Sequence, residues 1–232
     1  MSAATKLISA SNKSTGKPAE YFYYTASRAT SSPTYQAGLF EADVTDPDNL
    51  SVSLSHTLGT ASYNYYSYAM EPLPVYNGVA VGQPQVSGQR LQFRNTRSGT
   101  TTSWTNLAGA RRISGILFDE DTDTLYHSGS GGYVYSIDAS DGTAKDDISV
   151  SSSASYAGLF YIDNESKILL LQQYSSSGSA GIVNITDPDN LSSVASDITI
   201  SNLYLTHPIS EACVYDDEND RLWATTNGGL RC

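Results

Sequence analysis

A seven-residue phrase, TDPDNLS, occurs twice in the sequence, at 45–51 and at 186–192. Each copy follows a β-branched residue, Val44 in the first case and Ile185 in the second. The copies begin about 141 residues apart, which is three steps of about 47, and a fixed period of that size is typical of repeat architectures. About 40 to 50 residues per unit is the size of a four-stranded propeller blade. The repeat therefore predicts an all-β chain, a β-propeller of four-stranded antiparallel blades.

Alternating apolar and polar residues, separated by turn residues, divide the 232-residue chain into five units. The third unit is the clearest, with strands predicted at 114–118, 124–127, 133–137 and 144–150. The second is the weakest, because Pro72, Pro74 and Pro84 cannot serve a central strand ladder. We predict one propeller domain over 1–232, with blades at approximately 5–57, 68–107, 113–150, 156–200 and 211–232.

The last unit is predicted to contain three strands and no outer strand. Two explanations stay open: a five-bladed ring whose last blade is incomplete, or a piece of a larger propeller. The length and the period favour five blades. An incomplete blade would also allow a homo-oligomer or another assembly, in which a partner adds a strand to the edge at 228–231.

Several segments resemble known propeller families. GGLRC at 228–232, AGLFEADVTDPDNL at 37–50 and AGIVNITDPDNL at 180–191 are similar to the LVIVD-repeat propellers. The stretch YSIDASDG at 135–142 is also similar to quinoprotein-like and YncE-like blades. The resemblance implies the fold and a surface or secreted protein, and it implies no catalytic residue.

The charge and the hydropathy exclude several kinds of partner. A net charge of −11 and a pI near 4.5 argue against binding nucleic acid or anionic lipid through a basic face. No apolar run approaches the length of a membrane span, so we predict no membrane insertion. The first 17 residues contain no apolar core of a secretory signal. Removal of a signal, a cytosolic location or another export route would each explain this, and we expect an extracellular, cell-surface or virion location.

The two cysteines, Cys213 and Cys232, are predicted on the first and third strands of one blade. Two strand spacings separate their Cα atoms by about 9–10 Å, which is beyond the reach of a disulfide. Free thiols are therefore expected. Five Asn-x-Ser/Thr sequons, at Asn12, Asn49, Asn164, Asn184 and Asn190, are expected by chance in a chain rich in Asn and Ser.

Alternating acidic residues raise the question of a calcium site. Asp119, Asp121 and Asp123 have the spacing of the first ligands of a calcium loop, and 216–220 repeats it. Neither segment continues with the Gly and Glu that the loop requires. Both lie between a first and a second predicted strand, where Asp favours tight turns. We predict turns and no cofactor, with calcium as the alternative.

The three histidines, His56, His127 and His207, have no partner at metal-ligand spacing. We expect His127, at a strand end, to be structural. His207 lies in the segment 201–211 and would line the mouth of a channel.

Aromatic and basic residues accumulate in the segments that join predicted blades. These connections leave a propeller on one face, and Tyr and Arg dominate recognition surfaces. The alternative is that several of these tyrosines pack between blades. The candidate binding residues are Tyr63, Tyr65, Tyr66, Tyr68, Arg111, Arg112, Tyr156, Tyr204 and His207.

These observations predict a non-enzymatic binding or structural module that presents a Tyr/Arg-rich loop face to a protein or a glycan, on a cell surface or in a virion or filament. One alternative is a lactonase- or glycosidase-like hydrolase with channel carboxylates from Glu71, Glu211 and Asp43. That reading requires carboxylates within about 5–10 Å of each other. The other alternative is an architectural fragment of a larger propeller.

Overall fold

Short segments rich in apolar, β-branched and aromatic residues form the strands of antiparallel sheets in the described chain. The structure is a computed structural model. It describes residues 4–8, 21–31, 34–43, 49, 51–61, 69–82, 91–95, 98, 100–104, 113, 115–129, 131–150, 156–162, 166–174, 177–201, 213–216, 218–219, 221–226 and 229–231.

The described strands belong to five sheets, numbered in chain order. Sheet 1 contains β1 (Ala4–Ile8), β2 (Tyr21–Ser31), β3 (Thr34–Asp43) and β4 (Ser51–Ala61). Sheet 2 contains β5 (Ala69–Leu73), β6 (Gly78–Gly82), β7 (Leu91–Asn95) and β8 (Thr101–Trp104). Sheet 3 contains β9 (Ile116–Asp119), β10 (Thr124–Gly129), β11 (Tyr133–Asp138) and β12 (Ala144–Ser149). Sheet 4 contains β13 (Tyr156–Ile162), β14 (Lys167–Tyr174), β15 (Ser177–Asn184) and β16 (Ser192–Ser201). Sheet 5 contains β17 (Cys213–Asp216), β18 (Arg221–Thr226) and β19 (Gly229–Arg231).

Each sheet is an antiparallel meander in which consecutive strands are neighbours. Sheets 1 to 4 have four strands, and sheet 5 has three within the described residues. The predicted all-β class and the four-stranded antiparallel sheets are confirmed.

Both faces of sheet 3 are buried against other sheets. Leu125 and Tyr126 are adjacent in β10, so their side chains point to opposite faces. Leu125 packs in a cluster with Ala80 of sheet 2, whereas Tyr126 packs in a cluster with Leu170 of sheet 4. Burial of a large apolar side chain stabilises a fold by about 1.5–3 kcal/mol. Two-sided burial therefore holds sheets 2, 3 and 4 together face to face.

The first strands of successive sheets are also neighbours. β1 contacts β5, β5 contacts β9, β9 contacts β13, and β13 contacts β17. Meanders that stack face to face, with their first strands in one row, form a β-propeller. The number of blades and the closure of the ring stay predictions.

This topology separates two edges of the sheets. In a four-stranded meander, the fourth strand ends at the edge where the first begins. The links between sheets and the turns between second and third strands therefore lie at one edge, which we call the connection edge. The remaining turns lie at the opposite edge, which we call the turn edge.

The prolines of the second unit fit the sheet at its border. Pro72 lies in β5, an edge strand of sheet 2, where the missing N–H removes no central ladder bond. Pro74 begins a 3₁₀ turn at Pro74–Tyr76, directly after β5 ends at Leu73. Asn77 follows in the left-handed region with φ of 50° and donates its N–H to the Pro74 carbonyl at 3.0 Å.

A close approach also fixes the contact between sheets 3 and 4. A Cβ on Gly181 of β15 would lie 2.6 Å from Cγ2 of Val150 and 3.0 Å from the Val150 carbonyl oxygen. Val150 follows β12 and is buried in the cluster between the two sheets. Only glycine permits this approach.

The second copy of the repeated phrase forms a tight turn at the turn edge. The Asp187 carboxylate accepts the N–H of Asp189 at 3.1 Å, and the Asp187 carbonyl accepts the N–H of Asn190 at 3.1 Å. Pro188 occupies the second position of this turn, where its fixed φ is favourable. The residue types of the repeat thus explain its local shape.

This turn also joins sheet 4 to sheet 3. The Pro188 carbonyl accepts the Ser136 hydroxyl at 2.6 Å, and the Leu191 N–H donates to the Asp146 carboxylate at 2.7 Å. The Leu191 side chain is buried in the cluster between the two sheets. The second copy of the phrase is therefore an inter-sheet contact.

Candidate functional site

In the sequence, the predicted binding residues other than Tyr156 fall between the strands of successive sheets. Within the described part, only Tyr156 is placed, as the first residue of β13. The other predicted binding residues lie outside the described residues, namely Tyr63, Tyr65, Tyr66, Tyr68, Arg111, Arg112, Tyr204 and His207. Their assignment to a binding surface stays a prediction.

An aromatic column runs from the connection edge into the core between sheets 2 and 3. Tyr133, the first residue of β11, stacks on Tyr135 with ring centroids 5.7 Å apart and planes 24° apart. Tyr135 stacks on His127 of β10 at 4.8 Å and 11°. Tyr133 is half-buried, whereas Tyr135 is buried and His127 is fully buried. We call these three residues the Tyr–His stack.

The imidazole of His127 is held in its neutral form. Nδ1 lies 3.3 Å from the carbonyl oxygen of Ser128, and Nε2 has no hydrogen-bond partner among the described residues. Burial lowers the pKa of His127 to about 4, against the smaller opposing effect of the Ser128 carbonyl. Burial likewise raises the pKa of Tyr135 to about 12, with the Asp147 carboxylate adding to the effect. A general base must reach the proton that it abstracts, and a fully buried ring does not reach solvent. His127 is thus a structural residue, as predicted.

The acidic segment between β9 and β10 is a self-bonded turn. The Asp119 carboxylate accepts the N–H of Asp121 at 3.0 Å and the hydroxyl of Thr122 at 2.7 Å. Asp123 has a φ of 51° and accepts a hydrogen bond from the Tyr76 hydroxyl of sheet 2. In the described part of the chain, no group of three or more His, Cys, Asp or Glu side chains is arranged to hold a metal ion. Asp119 therefore stabilises the turn, and Asp123 forms a contact with sheet 2.

The carboxylates proposed for a hydrolase occupy different rows of strands. Glu71 lies on β5, a first strand, whereas Asp43 is the last residue of β3, a third strand. Glu211 lies outside the described residues. Glu71 therefore lies in the row of first strands, whereas Asp43 does not.

The remaining predicted residues are only partly placed. His56 lies on β4, and Cys213 is the first residue of β17. Cys232 lies outside the described residues, so the state of the two thiols stays a prediction.

Sequence reasoning missed polar side chains that form bonds between sheets. Ser136 and Asp146 bind the repeated turn, and Tyr76 binds the first turn of sheet 3. Burial and, to a smaller extent, the bonded Asp123 carboxylate together raise the pKa of Tyr76 to about 12. The duplicated TDPDNLS phrase was a usable signal for the first contact, whereas no pattern marks Tyr76.

Comparisons with known proteins show the fold alone. A functionally unknown protein from Desulfotomaculum acetoxidans has a TM-score of 0.57 at 11% identity, over 89% of this chain and 69% of that protein. A chain of the mitotic checkpoint complex has a TM-score of 0.54 at 9% identity, over 98% of this chain and 82% of that chain. TolB from Acinetobacter baumannii has a TM-score of 0.53 at 15% identity, over 93% of this chain but only 50% of TolB.

No protein-family model matches the sequence, and no curated protein matches it. The resemblance to LVIVD-repeat and YncE-like propellers therefore stays a prediction. Within the described residues, no helix is both long and apolar enough to cross a lipid bilayer.

Proposed function

We propose that this β-propeller is a non-enzymatic binding module that holds a protein or a glycan at its connection edge. The carrying observation is the row of adjacent first strands from β1 to β17. Because of this row, the links between sheets share one edge, and the sequence concentrates Tyr and Arg in those links. The module would act on a cell surface or as a subunit of a virion or filament.

The stacked sheets support this proposal physically. Packing on both faces of sheet 3 provides a rigid base, and loops on a rigid base are common sites of recognition. Tyrosine adds large contact area with few rotatable bonds, and arginine adds charged hydrogen bonds. Both residue types bind protein surfaces and stack on sugar rings.

The hydrolase alternative has weaker support. Retaining and inverting glycosidases need two carboxyl groups at about 5–10 Å from each other. Glu71 and Asp43 lie on a first and a third strand of different sheets. We therefore propose a binding surface in the links between sheets and no channel of catalytic carboxylates.

The test compares two double variants of the full chain. Tyr65→Ala with Arg112→Ala alters the predicted face. Glu120→Ala with Glu218→Ala alters exposed turn residues that lie between first and second strands, at the turn edge. Each protein is applied to an array of defined oligosaccharides. A photo-crosslinking residue replaces Tyr65 in one sample and Glu120 in another, and both are exposed to cells and to purified surface extracts.

We expect a discrete glycan class, or one protein crosslinked from position 65 and not from 120. We also expect the Tyr65/Arg112 variant to lose at least about tenfold in affinity, the scale of one recognition residue. The Glu120/Glu218 variant should bind normally. Turnover of lactones, aryl esters or nitrophenyl glycosides, lost on Glu71→Gln, would contradict the proposal.

A further inference from the structure

The outer strands of the sheets differ in how they are protected against pairing with other chains. An exposed strand edge offers free N–H and C=O groups, and proteins blunt such edges with charges, short strands or a cover. β12 carries Lys145, Asp146 and Asp147 within six residues, and β8 is only four residues long. β4 has eleven residues and no Asp, Glu, Lys or Arg, and β16 has ten residues with Asp197 alone.

The two poorly charged outer strands also expose apolar side chains. Val52 of β4 is 58% exposed, and Val194 and Ile198 of β16 are 52% and 38% exposed. Long, uncharged edges with exposed β-branched residues are sites of aggregation unless something covers them. Sheets 1 and 4 therefore need a protection that sheets 2 and 3 already have.

These same two strands each begin inside an Asn-x-Ser sequon. The Asn-Leu-Ser of the repeated phrase supplies Asn49 with Ser51, the first residue of β4, and Asn190 with Ser192, the first residue of β16. No sequon precedes β8 or β12 at this position. The two sequons of the repeated phrase thus lie at the starts of the two outer strands that carry little charge.

The geometry of the second copy leaves its acceptor accessible. Leu191 is buried and its N–H is bonded, so the middle of the sequon is anchored. Asn190 and Ser192 are exposed, and neither side chain has a hydrogen bond within the described residues. The Leu191 side chain is thus packed in the core, whereas the Asn190 and Ser192 side chains face solvent. In the first copy, Asn49 and Ser51 are exposed as well.

A neighbouring sequon provides a matched control. Asn184 ends β15, is half-buried, and lies between Lys167 of β14 and Ser192 of β16. Its side-chain oxygen accepts the N–H of Thr186 at 3.2 Å. Its side-chain oxygen is therefore engaged in the turn that follows a central strand, and the half-buried Asn184 is a poor acceptor of a glycan.

We propose that Asn49 and Asn190 are N-glycosylation sites and that their glycans cover the outer edges of sheets 1 and 4. In the reaction, the amide nitrogen forms a bond to C1 of a sugar carried on a lipid pyrophosphate. The C1–O bond to the pyrophosphate breaks, the pyrophosphate leaves with the electron pair, and the amide loses one proton. A bulky, solvated glycan at the start of each strand suits this cover. The proposal relies on the expected extracellular location.

The test uses the full chain secreted from a eukaryotic host behind a cleavable leader. Only protein recovered from the medium is analysed, because it has passed the glycosylating compartment. Site-resolved mass spectrometry then gives the occupancy of each sequon in the wild type and in Asn49→Gln, Asn190→Gln and Asn184→Gln. We expect high occupancy at Asn49 and Asn190 and little at Asn184. Secreted protein with Asn49 and Asn190 unmodified, or with Asn184 equally occupied, would overturn the assignment.

A second measurement tests the covering role. We expect the Asn49→Gln/Asn190→Gln double variant to self-associate at lower concentration than the wild type, by light scattering, with an unchanged far-ultraviolet spectrum. Further Val52→Lys and Val194→Lys substitutions, one on each uncovered strand, should restore the monodisperse state, because a charge on an edge strand opposes pairing. If the glycan-free double variant stays as monodisperse as the glycosylated protein, the sites do not serve as edge covers.

Discussion

Mild acid should weaken the contact between sheets 2 and 3 through His127, and His127→Phe should remove most of that effect. His127 is fully buried, and burial lowers its pKa from 6.5 to about 4. In the unfolded chain the imidazole returns to its ordinary pKa. Between these two values the unfolded chain binds a proton that the folded chain does not, so stability falls as the pH falls. Above about pH 7 the contribution is fully present, and below about pH 4 nothing more is lost.

The size of the effect follows from the two pKa values. Each unit of pKa difference corresponds to about 1.4 kcal/mol, so the full shift corresponds to about 3 kcal/mol. Between about pH 7.5 and about pH 5 the expected loss in the free energy of unfolding is about 2 kcal/mol. At about pH 5 most carboxylates are still ionised, so this window separates His127 from them.

The assay is urea unfolding followed by circular dichroism at several pH values, for the wild type and for His127→Phe. Phenylalanine keeps a flat ring against Tyr135 but does not titrate. It also loses the contact between Nδ1 and the Ser128 carbonyl, which costs about 1 kcal/mol at every pH. His56 and His207 are present in both proteins, so their titration cancels in the difference. If the two proteins lose equal stability between pH 7.5 and 5, the neutral buried imidazole is not the cause.

Three further predictions concern the contacts between sheets. Gly181→Ala should destabilise by about 1–3 kcal/mol in urea unfolding, because its Cβ overlaps Val150, and adding Val150→Ala should recover part of the loss. Asp146→Ala should cost about 1–2 kcal/mol by leaving the Leu191 N–H unpaired, whereas Asp146→Asn, which keeps an acceptor, should cost less. Tyr76→Phe should lower the thermal midpoint, because it removes the hydrogen bond to the Asp123 carboxylate of sheet 3, which contributes about 1–2 kcal/mol. An unchanged midpoint would show that water replaces this bond.

The strands could be predicted from the sequence because alternating or continuous apolar segments are separated by turn residues. In β10, Thr124, Tyr126 and Ser128 face one neighbour, and Leu125 and His127 face the other. This information is local, and turn residues such as Asp187 and Pro188 mark where a strand must end. The same local rules explain the 3₁₀ turn of the second unit, once Pro74 is read as a helical first residue rather than as a strand breaker.

The contacts between sheets could not be predicted in this way, because they join residues far apart in the chain. Ser136 binds the carbonyl of Pro188, and Tyr76 binds the carboxylate of Asp123. Nothing local distinguishes Ser136 from the many other serines, and Asp146 looks like an ordinary surface charge of an outer strand. Period and alternation determine which residues form strands, whereas the partner across two sheets depends on the three-dimensional stacking.

The difference between side chains packed between sheets and side chains exposed at an edge bears on both proposals. Side chains such as Leu125 and Tyr126 are committed to neighbouring sheets, so their replacement changes the free energy of unfolding. Exposed residues at an edge, such as Asn190, have no such commitment. We therefore expect Asn190→Gln to remove a glycan, and Tyr65→Ala to remove binding, without a change in the urea midpoint measured on glycan-free protein. His127→Phe should do the reverse, altering stability while leaving binding intact at neutral pH. If Asn190→Gln also lowered the stability of the glycan-free protein, Asn190 would belong to the packed core and the glycan proposal would lose its physical basis. The same holds for Tyr65→Ala and the binding proposal.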